Sequence, residues 1–306
     1  MVHLIKVHDY VSRYENDIHR YPNQFTRLKR EKWEKMKKNW QQANAGGNVE
    51  EDWFEDTSPK FFRHPFQRLR KSNKDKQAGR VVTEDPDQLY ANKTIEQLKK
   101  MFHYDVFQTQ LNWASSSLFG ESYLESKYRF DTRLRQLIQD VPDNFLLLYH
   151  PVLRVQRAEV QLDVILLSPT EVYVVNFLEM ENNAVVRASN ERFWPVVGKY
   201  AKAQLLNPMI AQERSFSIIR SILQKEEIQP NISMLLIAPD GYIDDHHARA
   251  DLKKVDRANY SRWLSTLQAH RSPLKKQQID VARALLKYSK TSHMPYSRPS
   301  AEDDGE

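Results

Sequence analysis

The sequence predicts an α/β fold: a mixed sheet flanked by helices, preceded by a mostly helical N-terminal region. Three observations carry that expectation. From Ser115 onward, short apolar runs alternate with helical stretches, the order of elements that builds a covered sheet. The run Val160–Leu167 is apolar on both parities, as a strand buried on both faces requires. Asn207-Pro208 stands between two such stretches and opens a helix, because the amide can cap it and proline suits its first turn.

Taken in chain order, residues 1–42 carry Phe25, Leu28, Trp33, Met36 and Trp40 at spacings of three to five, which predicts one or two amphipathic helices packed through these aromatics. Residues 43–60 and 71–92 are rich in Gly, Asn, Asp and Pro and predict exposed loops. Ile95–Phe107 returns to helix. Serines from Ser115 offer an N-cap to a helix carrying Leu118, Leu124, Tyr128, Leu134, Leu137 and Ile138. Strands follow at Phe145–Tyr149, Val160–Leu167, Val172–Leu178 and Ala184–Ala188, then a helical stretch Val196–Leu206, the helix after Asn207-Pro208 and a strand at Ile232–Ala238. The predicted organisation is a basic helical region 1–114, an α/β domain 115–288 and a disordered tail 289–306.

The chain has 306 residues, a net charge of +6 and no cysteine, which excludes disulfides and thiolate metal sites. No apolar run approaches the ~20 residues of a membrane span, and the first residues lack the apolar stretch of a signal peptide. A cytoplasmic protein with no membrane partner is expected. The charge is uneven: residues 1–114 hold 21 Lys/Arg against 16 Asp/Glu, and residues 115–306 hold 25 against 24. The excess gathers in Arg20–Lys38 and Lys60–Arg80, on either side of the acidic stretch Glu50–Asp56. Arg27, Lys29, Arg30, Lys37, Lys38, Arg68, Arg70 and Lys71 are the candidate contacts to DNA or RNA phosphates, by counterion release. A solvated helix face, or docking onto the acidic stretch, accounts for the same charges.

Ser168-Pro169-Thr170-Glu171 joins two apolar strands as a hairpin. With Ser168 facing Glu171, Asp163 lies opposite Asn176 and Gln161 opposite Leu178. Residues so paired have Cβ atoms roughly 4.5–5.5 Å apart, close enough to share one ion. By parity Glu179 points to the other face from Asn176. A carboxylate in an apolar strand needs a partner. Asp163 therefore either holds a metal or closes a polar pair with Asn176 or Gln161.

Gly120-Glu121 at a helix start, Gln161-Leu162-Asp163, the turn SPTEVYVV, Trp194 after a short strand and Asn207-Pro208 occur in an order that resembles the NERD (nuclease-related) domain. The resemblance covers Ser115 to about Leu267. It implies a restriction-endonuclease-like, PD-(D/E)XK, fold, with Glu121 as the helix acid, Asp163 as the metal-binding aspartate and Gln161 as the glutamine before it. Asn176 and Leu178 then stand where that family has glutamate and lysine, Glu171 stands where glycine is common, and Gln212 falls one place late. Such sites hold Mg²⁺ or a similar hard cation through carboxylate oxygens, and the ion activates water on a phosphodiester. Asn176 keeps an oxygen but loses a charge, and Leu178 keeps nothing polar. Lys199 or Lys202 is the candidate migrated lysine. Asp244-Asp245-His246-His247 follows a strand and Gly241 and reads as a polar loop, since neighbouring side chains diverge.

The expected function is binding of nucleic acid, or of a protein partner in nucleic-acid metabolism, without efficient cleavage and without a required cofactor. The alternatives are a Mg²⁺- or Mn²⁺-dependent DNA nuclease using Glu121, Asp163 and a migrated lysine, and a protein-interaction module whose old cleft is filled.

Overall fold

The computed structural model describes residues 1–44, 90, 92–198, 202–245 and 252–295. The chain forms two compact units, Met1–Leu28 with His103–Glu306, and Lys29–Phe102. The first is mixed α/β, as expected.

The larger unit is built on a six-stranded sheet. Its strands are β1 (His3–Val7), β3 (Leu146–Tyr149), β6 (Val164–Leu167), β7 (Glu171–Phe177), β11 (Asn231–Ala238) and β13 (Leu252–Asp256), side by side in that order. Neighbours are parallel except that β6 runs against both β3 and β7. All five residues of β1 and all four of β3 and β6 are buried, so apolar side chains face both ways and both faces are covered. A core of Leu4, Val7, Phe107, Leu134, Ile138, Leu147, Leu166 and Leu235 packs one region of the sheet. A second cluster gathers Leu178, Val186, Trp194, Met209, Met234 and Leu236.

The placement of β1 corrects the expectation that residues 1–114 lie apart from the α/β domain. HLIKV is too short to show a period of its own, and its partner Leu146–Tyr149 is distant in sequence. As a terminal strand of the sheet, β1 needs its outer backbone groups satisfied. Gln110 supplies this from helix α3 (Ile95–Trp113): its Oε1 accepts from Leu4 N at 2.9 Å and its Nε2 donates to Val2 O at 2.5 Å. Preceding it are the short α1 (Arg13–Asn16) and the long α2 (Arg20–Asn44).

Within the Lys29–Phe102 unit, Trp33 meets Phe102 edge-on at 5.1 Å, Trp40 donates to Lys93 O at 2.7 Å, and Met36 and Leu98 are buried. These aromatics are packing residues.

Between Ser115 and Asp140 the expected single helix is replaced by β2 (Gly120–Glu121), α4 (Ser126–Phe130) and α5 (Thr132–Asp140). Asp131 starts α5 by accepting from Leu134 N at 2.9 Å, the usual job of an N-cap carboxylate. The run Val160–Leu167 is broken as well. β5 (Ala158–Gln161) pairs with β4 (Val152–Val155) as a separate ribbon, and β6 starts only at Val164. The described residues of the stretch 196–206 are not helical. β9 (Phe193–Val197) and β10 (Lys202–Leu206) pair antiparallel, and with β8 (Val185–Arg187) and β12 (Tyr242–Asp244) they make a four-stranded sheet. Adjacent valines 196 and 197 favour the extended chain there.

The helix after Asn207-Pro208 is α6 (Pro208–Lys225), capped by Asn207 accepting from Met209 N at 3.0 Å. Two further helices, α7 (Tyr260–Gln268) and α8 (Lys276–Lys287), precede β14 (Met294–Pro295), which pairs with β2. The expected disordered tail therefore begins with ordered chain as far as residue 295; residues 296–306 lie outside the described residues. No helix among the described residues is long and apolar enough to cross a membrane.

A candidate site at the carboxyl edge of the sheet

Because β1, β3, β7, β11 and β13 share one direction, their carboxyl ends meet the amino end of β6 along one edge. Open α/β sheets bind ligands at that edge.

The hairpin register is the one the turn implies: Val164 faces Val175 and Leu167 faces Val172. One step beyond the paired strands, Asn176 Nδ2 donates to Asp163 Oδ2 at 2.5 Å. Of the two options for Asp163, this is the closed polar pair. Gln161 is on the β4–β5 ribbon opposite Val152 and is exposed, so it does not face Leu178. The turn of the chain at Leu162-Asp163 carries it away. Leu178 is buried in the second apolar cluster.

Glu121 is also placed differently. It lies exposed on the β2–β14 ribbon and opens no helix. The glycine before it has a local cause: a Cβ at Gly120 would stand 2.5 Å from Met294 O, so the ribbon closes only with glycine there. Gly120-Glu121 is thus a pairing device. Lys199 lies outside the described residues, and Lys202 starts strand β10 instead of sitting on a helix. Among the described residues, no three or more His, Asp or Glu side chains are grouped to hold a metal ion.

The carboxyl edge instead gathers residues that sequence reasoning missed. His8 and His150 follow β1 and β3 at once, and the register sets Val7 beside Tyr149, so the two histidines leave neighbouring parallel strands together. Both have left-handed backbones, φ 47° and 50°, a conformation uncommon for residues other than glycine and concentrated at functional sites. His8 N donates to Tyr149 O at 3.0 Å and His150 N to Asp163 O at 2.7 Å.

His8 Nδ1 lies 2.7 Å from Asp9 Oδ1, and Ser292 Oγ donates to the other oxygen at 3.0 Å. Burial pushes the Asp9 carboxyl up, but these hydrogen bonds from His8 and Ser292 outweigh it and hold the group below its usual range. With Nδ1 engaged by a carboxylate, the imidazole is oriented and Nε2 is left for chemistry.

Burial lowers His150, opposed in part by Asp163 and Asp131 and reinforced by Arg133 and His8. Tyr149 donates to Asp131 at 2.7 Å, and burial together with that carboxylate raises its phenol. Arg133 lies over the Phe177 ring at 4.7 Å and reaches the exposed Glu179 at 3.2 Å. The result is an oriented histidine, a half-buried histidine whose proton affinity is lowered, an amide-paired aspartate and an arginine around one sheet edge. A sequence signal for it exists: HLIKV and LLLY are apolar runs each ended by His. It becomes readable only when HLIKV is recognised as a strand.

Of the basic candidates on α2, Arg27, Arg30, Lys37 and Lys38 are exposed and Lys29 is half-buried. Arg68, Arg70 and Lys71 lie outside the described residues. Asp244 and Asp245 pair with Arg187 at 3.5 Å and Lys254 at 2.6 Å; His246 and His247 lie outside the described residues.

No family model matches the chain, and no solved structure matches it. An RNA 2',3'-cyclic phosphodiesterase of Geobacillus stearothermophilus is 31% identical over 115 residues, which are 36% of this chain and 36% of that protein. The chain thus spans about a third of the length of the curated relative it matches.

Proposed function

We propose that the chain is a degenerate nuclease-related protein of the restriction-endonuclease-like class, which binds nucleic acid without efficient metal-dependent cleavage. The observation that carries this reading is the fate of the three key positions. Asp163 is taken up by the amide of Asn176, and Leu178 is core. The family's second carboxylate and its lysine therefore have no counterpart there. The exposed cations of α2 supply phosphate contacts, each adding about −0.9 to the slope of log affinity against log salt on duplex DNA.

Two measurements test it. Purified protein with Mg²⁺ or Mn²⁺ is expected to leave single- and double-stranded DNA intact; turnover that disappears in Asp163→Ala would overturn the reading. Replacing Arg27, Arg30, Lys37 and Lys38 by Gln is expected to flatten the salt slope. These substitutions are preferable to deleting residues 1–114, which would also remove β1 from the sheet.

A second reading is favoured by the oriented His8–Asp9 pair beside His150, and it agrees with the partial likeness to an RNA 2',3'-cyclic phosphodiesterase. In it, His150, whose proton affinity burial lowers, takes a proton from water as the water oxygen bonds to the phosphorus of a cyclic phosphate end. The bond from phosphorus to one ribose oxygen breaks, and His8 Nε2 gives that oxygen its proton. A phosphomonoester results, and no metal is consumed or required. RNA ending in a cyclic phosphate, incubated with the protein and a chelator, is the test. Ring opening lost in both His8→Ala and His150→Ala supports this reading, and an unchanged cyclic end removes it.

A further inference from the structure

We infer that the cleft between α1 with the turn after it, β4 and α8 is a binding site for a small organic phosphate, a phosphomonoester with an apolar body. The cleft stands apart from both functional readings above, since none of the residues that line it is a candidate residue of the carboxyl edge.

The cleft measures about 560 Å³, within the ~300–1,000 Å³ of small-molecule sites and well beyond what a bare ion fills. Its cations come from two elements. Arg283 and Lys287 are four residues apart on α8, so they stand on one face of that helix. Arg154 joins them because its backbone N–H donates to Tyr288 O at 2.8 Å, which fastens β4 to the end of α8. His19, just before α2, accepts from the Arg283 guanidinium through Nε2. Tyr14, Ile18 and Leu286 give the cleft an apolar lining, and each is buried.

The sign of the ligand follows from how the charges are matched. The two acids of the lining, Glu15 and Asp17, are satisfied inside the fold. Lys6, fully buried on β1, bonds Glu15 and also donates to Tyr10 O at 2.7 Å and to Thr291 Oγ1 at 3.1 Å. Thr291 donates in turn to the two Glu15 oxygens at 3.2 and 3.1 Å. A buried ion pair is a poor source of stability; here it cancels the Glu15 charge at the cleft. Asp17 caps α2, its Oδ1 accepting from His19 N and Arg20 N, each at 3.0 Å. The three cations are matched, among the described residues, by acids that do not line the cleft: Arg154 by Glu159 at 3.7 Å, Arg283 by Asp280 at 3.2 Å and Lys287 by Glu226 at 2.7 Å. All three cations are more than half exposed, and exposed pairs are weak and exchange with other ions. Arg154 faces Glu159 with Nε, and Arg283 uses Nη1 on Asp280 and Nη2 on His19. A guanidinium has five N–H donors, so among the described residues both keep donors for the forked contact that arginine makes with phosphate. The carbonyl end of α8 lies at the cleft, and such an end repels anions. Its last carbonyls are covered, however: Leu285 O by Ser289 Oγ at 2.8 Å, Leu286 O by Ser289 N at 3.1 Å, and Tyr288 O by Arg154. Cations for a phosphate, beside buried apolar side chains for what the phosphate carries, fit a phosphomonoester.

The test is calorimetric titration of the full chain with AMP, ribose 5-phosphate, inorganic phosphate and adenosine. AMP is expected to bind most tightly, because its base adds apolar surface, then ribose 5-phosphate, then inorganic phosphate; adenosine is expected to show no measurable binding. Arg283→Gln and Lys287→Gln, both at exposed positions, are each expected to weaken AMP about tenfold, the loss of one charge-assisted hydrogen bond. Arg283→Lys is expected to recover part of that loss, since an ammonium keeps the charge but not the fork. Arg154→Gln, on a different element, is expected to weaken AMP to the same degree, and it decides the matter where an α8 variant lowers the melting temperature. AMP bound equally well by wild type and by the Arg283→Gln, Lys287→Gln double variant overturns the inference. So does the absence of saturable binding of either phosphomonoester at millimolar concentration. Inorganic phosphate bound as tightly as AMP assigns the cations to a bare anion and overturns it as well. Oligonucleotide binding weakened in the double variant, with AMP unbound by the wild type, gives these cations to nucleic acid instead. The DNA-cleavage and cyclic-phosphate measurements read other residues, so this site and the two functional readings fail separately.

Discussion

Glu171, at the amino end of β7, and Asp163, beside its carboxyl end, are both half-buried acids of the same hairpin, partnered in different ways. Glu171 receives Lys253 Nζ at 2.6 and 2.8 Å on its two oxygens, and the Ser233 hydroxyl as well. Lys253 also lies over the Tyr173 ring at 4.9 Å. That end is closed by a full ionic charge. Asp163 receives a neutral amide from Asn176, and its electrostatic neighbour is the half-buried His150. An acid matched by lysine meets a full opposite charge, whereas an acid matched by an amide meets a partner that brings none. The carboxyl edge is thus the end of the sheet without a matching cation, even though Asn176 and Leu178 leave no second carboxylate or lysine there.

The sharpest way to break that comparison is to place a lysine at position 178. Leu178 is only 4% exposed and sits among Trp194, Met209 and Leu236. Lysine there would carry an unpaired charge into an apolar cluster, which costs about 3–5 kcal/mol. Leu178→Lys is expected to lower the urea midpoint sharply, and Asn176→Glu with Leu178→Lys to gain no nuclease activity. A stable, metal-dependent double variant would show that position 178 opens onto the site.

The closed end should respond more mildly and to acid. Burial alone would raise the Glu171 carboxyl, but hydrogen bonds from Lys253, Ser233 and Tyr173 outweigh it and lower the group. A carboxyl lowered on folding contributes stability that is present above its unfolded value of about 4.3 and lost as pH falls through the lower folded value. Lys253 is 46% exposed, so screening keeps the pair to about 1 kcal/mol. Glu171→Gln is expected to remove about that much at neutral pH and little at acid pH, read from urea curves at both. An equal loss at the two pH values would mean that packing, and not charge, holds this end.

The hairpin was legible because its turn residues fix the register of two apolar strands, and a slip would turn every side chain over. That is why Asp163 and Asn176 were found as a pair. Gln161 was misplaced because an apolar run of both parities carries no mark of where a strand breaks, and Leu162-Asp163 is such a break. Glu121 was misplaced because Gly-Glu serves a helix start and a tight ribbon equally well; only the closeness of Met294 O decides. His8 and His150 were hard to read for a different reason, although each ends an apolar run. Their juxtaposition depends on the parallel pairing of β1 with β3, strands with no local turn to join them. Nothing near either histidine announces the other.

The smallest expected effect tests the carboxyl edge directly. His150 is lowered mainly by burial, and the charged groups around it are Asp163, Asp131, Arg133 and His8. A histidine lowered on folding is neutral in the native chain at pH values where the unfolded chain binds a proton. Its contribution is therefore fully present above the unfolded value of about 6.5 and is lost as pH falls from there through the folded value. His150→Asn keeps a residue that tolerates the left-handed backbone at this position while removing the titration. Urea unfolding of wild type and variant at neutral and mildly acid pH is the comparison. The wild type is expected to lose more stability on acidification than His150→Asn, with the two converging toward acid. Parallel curves would mean that His150 carries its proton in the native state as readily as in the unfolded one. The carboxyl edge would then lack the neutral histidine that separates it chemically from the lysine-closed end.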